Sequence, residues 1–196
     1  YTEQPEHCPI RSQFERAGEE IHYCIERQQT LAAGETLELT VWFGLGFEEV
    51  SAATSAKELL RQGFAQELER TERWLSARER TVGDAQLDEI LNTNLFFSYF
   101  FGAGRTLDTE EFVLVTSRSP RYYVSAAYWD RDSLLWSFPA ILLADPETAR
   151  QMLHYVFTRQ IRNVGLHSRF IDGTLLEPGF ELDELLAPVI ALSRYV

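Results

Sequence analysis

The stretch Ser133-Leu-Leu-Trp-Ser-Phe-Pro-Ala-Ile-Leu-Leu-Ala144 has almost no polar face. A helix that is apolar on all sides has to be enclosed by other parts of the fold. Pro139 lacks a backbone N–H and is expected to kink this helix. Asp145 and Pro146 then predict the N-cap and first position of a new helix that is apolar on one side only. The sequence therefore predicts a buried helix followed by an amphipathic outer helix.

Upstream of this pair, the chain changes character once, near residue 50. Apolar and polar residues alternate over 21–25 and again over 37–43, with a turn at Ala33-Gly34 between them, and this predicts an antiparallel hairpin. From about Ser55 to Ala77 the apolar spacing becomes helical, as in an amphipathic connector. Asp84 is expected to cap the next helix, whose aromatic end at 96–101 should be buried.

The remaining segments are shorter. Phe112 to Val115 predicts a short strand inside a long loop. Asp172-Gly173 predicts a turn, residues 175–180 a loop, and residues 183–196 another largely apolar helix. The fold class predicted from these patterns is mainly α with a small N-terminal antiparallel β portion.

The hexapeptide Tyr128-Trp129-Asp130-Arg131-Asp132-Ser133 precedes the buried helix and contains two aromatic residues, an arginine and two carboxylates. Proteins often bind sugars with such residues, because an aromatic face covers the C–H side of the ring while charged groups bind its hydroxyls. The alternative is purely structural, since Asp132 or Ser133 would also serve as an N-cap and Arg131 as a surface ion pair.

The composition limits the classes of partner. The chain has 196 residues, of which 45% are apolar and 24% charged, with a formal net charge of −12. This charge argues against nucleic-acid phosphates or an anionic membrane as the natural partner, and a neutral polyol fits better. No apolar run reaches the roughly 18 to 20 residues that span a bilayer, and we expect a cytoplasmic location. The scattered histidines and two cysteines predict no metal site.

Three segments together resemble a known family, the inverting sugar hydrolases built on an (α/α)6 toroid of six helical hairpins, such as bacterial glucoamylases and the glucosidase domain of glycogen-debranching enzymes. The three segments are Tyr128 to Asp132, Ala144 to Arg150, and Ile171 to Thr174 followed by Glu181 to Glu184. The resemblance implies that residues 1–50 end a β-sandwich domain, that residues 51–83 are a linker helix, and that residues 84–196 are the truncated first part of the barrel. It implies an exo-acting enzyme for α-glucosidic linkages of oligosaccharides that needs no cofactor.

The resemblance also assigns roles to residues. Arg131 and Asp132 would bind hydroxyls of the terminal sugar, while Tyr128 and Trp129 would pack against its ring. Asp183 would be the general acid, with the general base beyond Val196 in the remainder of the barrel. Inverting hydrolysis requires such an acid and base, about 6.5–9.5 Å apart on opposite faces of the sugar.

Several alternatives stay open at the level of sequence. Glu181 and Glu184 would either bind substrate or only stabilise a helix N-terminus, where carboxylates are favoured. Arg118 and Arg121 would either select an acidic sugar or hold the long loop. The chain would also suit an (α/α)6 sugar phosphorylase or polysaccharide lyase, or a non-catalytic carbohydrate-binding helical domain.

Overall fold

The computed structural model describes residues 11–17, 20–26, 29–119, 121 and 127–196. The chain forms two units, residues 1–73 and residues 74–196. The described part is mainly helical, and its sheets are small, two-stranded and antiparallel. This confirms the mainly helical class, although hairpins occur outside the N-terminal part as well. The predicted partial (α/α)6 toroid stays a prediction. Within the described residues, no helix is both long enough and apolar enough to cross a membrane.

The first unit contains a hairpin, and the strand predicted at 21–25 is its second strand. Strand β1, Arg11–Ala17, pairs with strand β2, Glu20–Glu26. The predicted partner at 37–43 is wrong, because those residues form no strand and Leu39 and Phe43 are exposed. Alternation stabilises a strand only where one face is covered by other residues. The predicted turn is confirmed, since the Glu35 N–H donates to the Ala32 carbonyl at 3.1 Å.

Two helices take the place of the single connector helix predicted from Ser55 to Ala77. Helix α1 is Glu49–Gln62 and helix α2 is Phe64–Ser76. Gly63 separates them with φ of 82° and ψ of 155°, a backbone conformation that is almost restricted to glycine. The helical periodicity continues across this residue in the sequence, so the break was missed.

The part of the second unit that the structure describes is built around four α-helices. Helix α3 is Ala85–Gly102, α4 is Phe138–Ala144, α5 is Pro146–Tyr155 and α6 is Leu182–Tyr195. Both predicted N-caps are confirmed. Asp84 accepts hydrogen bonds from the N–H groups of Gln86 and Leu87 at 3.0 and 3.1 Å, and Asp145 accepts from the Thr148 N–H at 3.1 Å.

Helix α4 is the centre of this unit and contacts α3, α5 and α6. Its side chains join one core with those of the neighbouring elements, including Leu95, Leu114, Phe138, Ile141, Met152 and Ala187. The enclosure is less complete than predicted. Trp136 is 70% exposed, and in the aromatic end of α3 Phe97 is 63% and Phe100 61% exposed. Each of these residues lies on the side of its helix that faces away from the core.

The helix predicted over 133–144 is confirmed, but its first half is π-helical. This segment, π1, is Arg131–Ser137, and the Phe138 N–H donates to the Ser133 carbonyl five residues back. Pro139 has no N–H to donate to the Leu135 carbonyl. The Arg194 guanidinium, from the end of α6, donates to that carbonyl instead at 3.2 Å. A second π-helical turn, π2, covers Val156–Gln160 after α5.

Two hairpins complete the unit as far as its residues are described. Strand β3, Ala103–Arg105, pairs with β4, Phe112–Leu114, which confirms the strand predicted at 112–115. Strand β5, Leu166–Arg169, pairs with β6, Leu175–Phe180, so the predicted loop at 175–180 is wrong. Every residue of β6 is exposed, and it contains a proline and a glycine. Such an edge strand leaves no apolar alternation in the sequence.

The second hairpin and the start of π1 lie side by side. Tyr128 and Arg169 form an isolated antiparallel bridge, in which each N–H donates to the other residue's carbonyl at 2.8 and 3.0 Å. The turn at Asp172-Gly173 is confirmed, with the Thr174 N–H donating to the Asp172 carboxylate at 2.9 Å. These contacts bring the two segments with candidate site residues, 128–133 and 181–184, together.

Candidate functional site

The Arg131 guanidinium is surrounded by four carboxylates, which we call the acidic cluster: Asp132, Glu181, Asp183 and Glu184. Its Nη1 lies 3.0 Å from oxygens of both Glu181 and Asp183. Its Nε lies 3.3 Å from Asp132 Oδ1, and its Nη2 lies 3.7 Å from Glu184 Oε1. Residues fifty positions apart in sequence therefore meet at one guanidinium.

The cluster forms where the starts of two helices face each other. Arg131 is the first residue of π1, while Glu181 is the N-cap of α6 and Asp183 lies in its first turn. Glu184 connects the two starts, because its Oε2 accepts the backbone N–H of Arg131 at 3.0 Å. A side chain of α6 thereby caps the first turn of π1, which leaves the Arg131 side chain directed at the other carboxylates.

His167 extends the cluster on the side of strand β5. Its Nδ1 lies 2.6 Å from Glu181 Oε1, and its Nε2 lies 3.7 Å from Glu177 Oε2 on β6. Its ring also meets the Trp129 indole edge-on, with 5.8 Å between centroids. His167 and Glu177 were not predicted as site residues. The β5–β6 hairpin places them beside Glu181, and the sequence pattern predicted a loop at 175–180 instead of strand β6.

A second charged pair lies in the interior beneath the cluster. The Arg169 guanidinium binds the Asp130 carboxylate, and both side chains are fully buried. Arg169 also donates to the Gln160 carbonyl at 2.5 Å and lies over the Tyr128 ring, 5.0 Å from its centroid. This pair connects the residue before π1 to strand β5. Neither member was predicted as a functional residue.

The carboxyl groups divide into two kinds by their pKa. The hydrogen bond from Arg131 lowers the pKa of Asp183, and His167 followed by Arg131 lowers the pKa of Glu181. Burial has the opposite effect on two others, raising the pKa of Glu184 to about 7 and that of Asp130 to about 6. Asp183 and Glu181 are therefore ionised near neutral pH, whereas the two groups that keep a proton most readily, Glu184 and Asp130, are buried.

A cavity of about 390 Å³ adjoins the cluster. Its lining combines hydroxyl groups, one cation, one carboxylate and an indole: Thr116, Ser117, Ser119, Arg121, Asp132, Trp136 and Ser137. Asp132 belongs both to this lining and to the acidic cluster. The volume lies within the range of about 300–1,000 Å³ that is usual for small-molecule sites.

Comparison with protein-family models finds no match, and neither do comparisons with curated proteins and with solved structures. Within the part of the chain that the structure describes, no group of three or more His, Cys, Asp or Glu side chains is arranged to hold a metal ion.

The structure brings five of the predicted site residues together, namely Arg131 and the acidic cluster. It places the two predicted aromatic residues elsewhere, because Tyr128 is fully buried against Arg169 and Trp129 is only 6% exposed. In this structure neither offers a face to a sugar ring. The exposed Trp136, two helical turns further along, lines the cavity instead. The sequence assigned it to a buried helix, so its exposure was missed.

Proposed function

We propose that the chain supplies part of the active site of an inverting, exo-acting glycoside hydrolase for α-glucosidic linkages, with helices α3–α6 forming part of an (α/α)6 toroid. The supporting observation is the double position of Asp132. Its carboxylate lines a cavity of monosaccharide size and also accepts a hydrogen bond from Arg131, which in turn holds the candidate acid Asp183. A sugar in the cavity would therefore lie next to the acid.

The cavity provides what a terminal pyranose needs. The exposed Trp136 indole offers an apolar face for the C–H side of the ring. Asp132 and the hydroxyls of Thr116, Ser117 and Ser137 offer donors and acceptors for its hydroxyl groups. Arg131 then acts by positioning, since it orients Asp132 and Asp183 at the same time. Trp129 contacts the His167 ring edge-on, and His167 in turn contacts Glu181 of the acidic cluster.

Asp183 is the acid in this proposal because its side chain is 48% exposed, whereas Glu184 is fully buried behind Arg131. Its hydrogen bond to Arg131 favours the ionised form. A substrate hydroxyl that takes over the Arg131 donor would release Asp183 and raise its pKa towards the value that proton donation requires. The general base would come from the remainder of the barrel after residue 196, about 6.5–9.5 Å away across the sugar.

A non-catalytic carbohydrate-binding domain is the second candidate. One observation favours it: the carboxyl group best placed to protonate a glycosidic oxygen has a lowered pKa. A binding domain would use the same cavity, and the Arg131 pairs would only fix the shape of its wall.

The test uses the natural protein that contains this chain. It is incubated with a panel of α-linked disaccharides, and proton NMR follows which anomer of the released sugar appears first. We expect the β anomer, and we expect Asp183→Asn to abolish its release. Asp108→Asn is the matched control, because Asp108 is an exposed aspartate whose carboxylate, among the described residues, accepts a hydrogen bond only from the neighbouring Thr109 N–H.

Each other outcome has a distinct meaning. Release that depends on added phosphate would replace the hydrolase by a phosphorylase. Binding of sugar without cleavage under either condition would establish the carbohydrate-binding domain. Normal turnover by Asp183→Asn would remove Asp183 from the mechanism.

A further inference from the structure

Arg121 contributes the only cation to the described lining of the cavity. The loop that carries it is shaped by its own hydroxyl groups. The Arg121 N–H donates to Ser119 Oγ at 3.3 Å, and the Ser119 N–H donates to Ser117 Oγ at 3.1 Å. These two successive turns fix the serine side chains on the same wall of the cavity as the arginine.

The neighbouring Arg118 differs in its surroundings. Its Nε donates to the Phe100 carbonyl at 3.0 Å, and its guanidinium lies over the Phe100 ring at 4.9 Å. Arg118 therefore holds the loop to helix α3. Among the described residues, the Arg121 guanidinium has no ion pair and no hydrogen bond. An arginine without such a partner is notable in a chain with 30 acidic and 18 basic residues.

The other charged group in the lining is already engaged. Asp132 accepts a hydrogen bond from Arg131 Nε at 3.3 Å, so it forms part of the acidic cluster. Its negative charge still repels an anion that approaches its side of the cavity. The cavity therefore has a wall that prefers hydroxyl groups, near Asp132, and a wall that prefers an anion, near Arg121.

We propose that this cavity selects a hexopyranoside that carries an anionic substituent, either a carboxylate or a phosphate group. This inference rests on the proposed function, because it uses the same cavity. Trp136 covers the apolar face of the ring, Asp132 and the hydroxyls bind its neutral side, and the Arg121 guanidinium pairs with the anion. A guanidinium suits both anions, since its parallel N–H groups match two oxygens at once.

The test measures binding to the same natural protein, the one used to test the proposed function, by isothermal titration calorimetry at low ionic strength. Three probes share one ring: methyl α-D-glucopyranoside, the corresponding methyl glucuronide, and glucose 6-phosphate. We expect at least one anionic probe to bind about tenfold more tightly than the neutral glucoside, as a charge-assisted pair would produce. The preferred anion identifies the substituent.

Three variants locate the effect. Arg121→Gln should lower the affinity for the preferred anionic probe about tenfold, so that the anionic and neutral probes bind equally. Arg159→Gln, an exposed arginine outside the cavity, should preserve the preference. Trp136→Leu should weaken all three probes, which shows that they bind in this cavity. Circular dichroism checks that each variant is folded.

The outcomes separate this inference from the proposed function. Equal affinity for the neutral and anionic probes, with both weakened by Trp136→Leu, would overturn the anion preference while the sugar site stands. A preference that survives Arg121→Gln would also overturn it. Absence of binding by every probe would overturn both the inference and the sugar site.

Discussion

Replacing Glu184 by glutamine tests the interior of the site. Glu184 is fully buried, and burial raises its pKa from 4.5 to about 7. A carboxyl group with a raised pKa stabilises the fold in its protonated form, so its contribution is complete below pH 4.5 and is lost as the pH rises through 7. The whole shift corresponds to about 3 kcal/mol in the free energy of unfolding.

Glu184→Gln removes this pH dependence, because a glutamine stays neutral while keeping the shape and the acceptor oxygen for the Arg131 N–H. From pH 5 to pH 8, the free energy of unfolding of the variant should rise by about 2 kcal/mol relative to that of the wild type. The rise is smaller than the whole shift because ionisation of Glu184 already lowers the stability of the wild type at pH 5. Urea unfolding followed by circular dichroism at pH 5, 6, 7 and 8 gives this difference directly.

Glu181→Gln is the control with the opposite sign. His167 and Arg131 lower the pKa of Glu181, so its ionised form stabilises the fold above pH 4.5 and this stability is lost at lower pH. Its replacement should therefore cost more at pH 7 than at pH 3. Two results would refute the raised pKa of the buried Glu184 carboxyl group. The stability changes of the two variants could depend on pH in the same way, or the stability change of Glu184→Gln could be independent of pH.

Two further predictions concern the supports of the site. Arg169→Met should destabilise the second unit by about 3–5 kcal/mol at pH 8, because it leaves the buried Asp130 charge unpaired. The loss should be smaller at pH 5, where Asp130 takes up a proton. Urea unfolding at both pH values measures the difference. Asp84→Ala should cost about 1 kcal/mol at either pH, since it removes the N-cap of α3, and the same measurement would contradict us if the cost equalled that of Arg169→Met.

The parts of the fold that followed from sequence are those fixed by local chemistry. Asp84 and Asp145 cap their helices as predicted, because a carboxylate followed by free N–H groups needs no information from elsewhere in the chain. The strand predicted at 37–43 is absent because alternation of apolar and polar residues only indicates that one face could be buried. It does not show whether another part of the fold covers that face. The strand at 175–180 was missed because its hydrogen bonds to β5 leave no apolar periodicity in an exposed edge.

The candidate site also combines features that local sequence predicts with features that depend on long-range contacts. The sequence predicted Arg131, Asp132, Glu181, Asp183 and Glu184 as site residues through the family resemblance, which rests on short local segments. Their convergence on one guanidinium depends on the Tyr128–Arg169 bridge and on the hairpin after it. Trp136 rather than Trp129 is the exposed aromatic residue, and this depends on which side of π1 is covered by the rest of the fold. Contacts of that range have no signature in a single sequence.

The Arg131 pairs set the condition under which the proposed chemistry operates. In the structure, one guanidinium neutralises Asp183 and Glu181 while it fixes Asp132 at the cavity wall. The same contact that orders the site also keeps its candidate acid ionised. A ligand that only fills the cavity therefore changes nothing at Asp183, whereas a ligand that draws a hydrogen bond from Arg131 raises the pKa of that carboxyl group. If the proposed function is correct, proton donation is coupled to recognition of the sugar hydroxyls, and a sugar that lacks the hydroxyl facing Arg131 should bind without being cleaved.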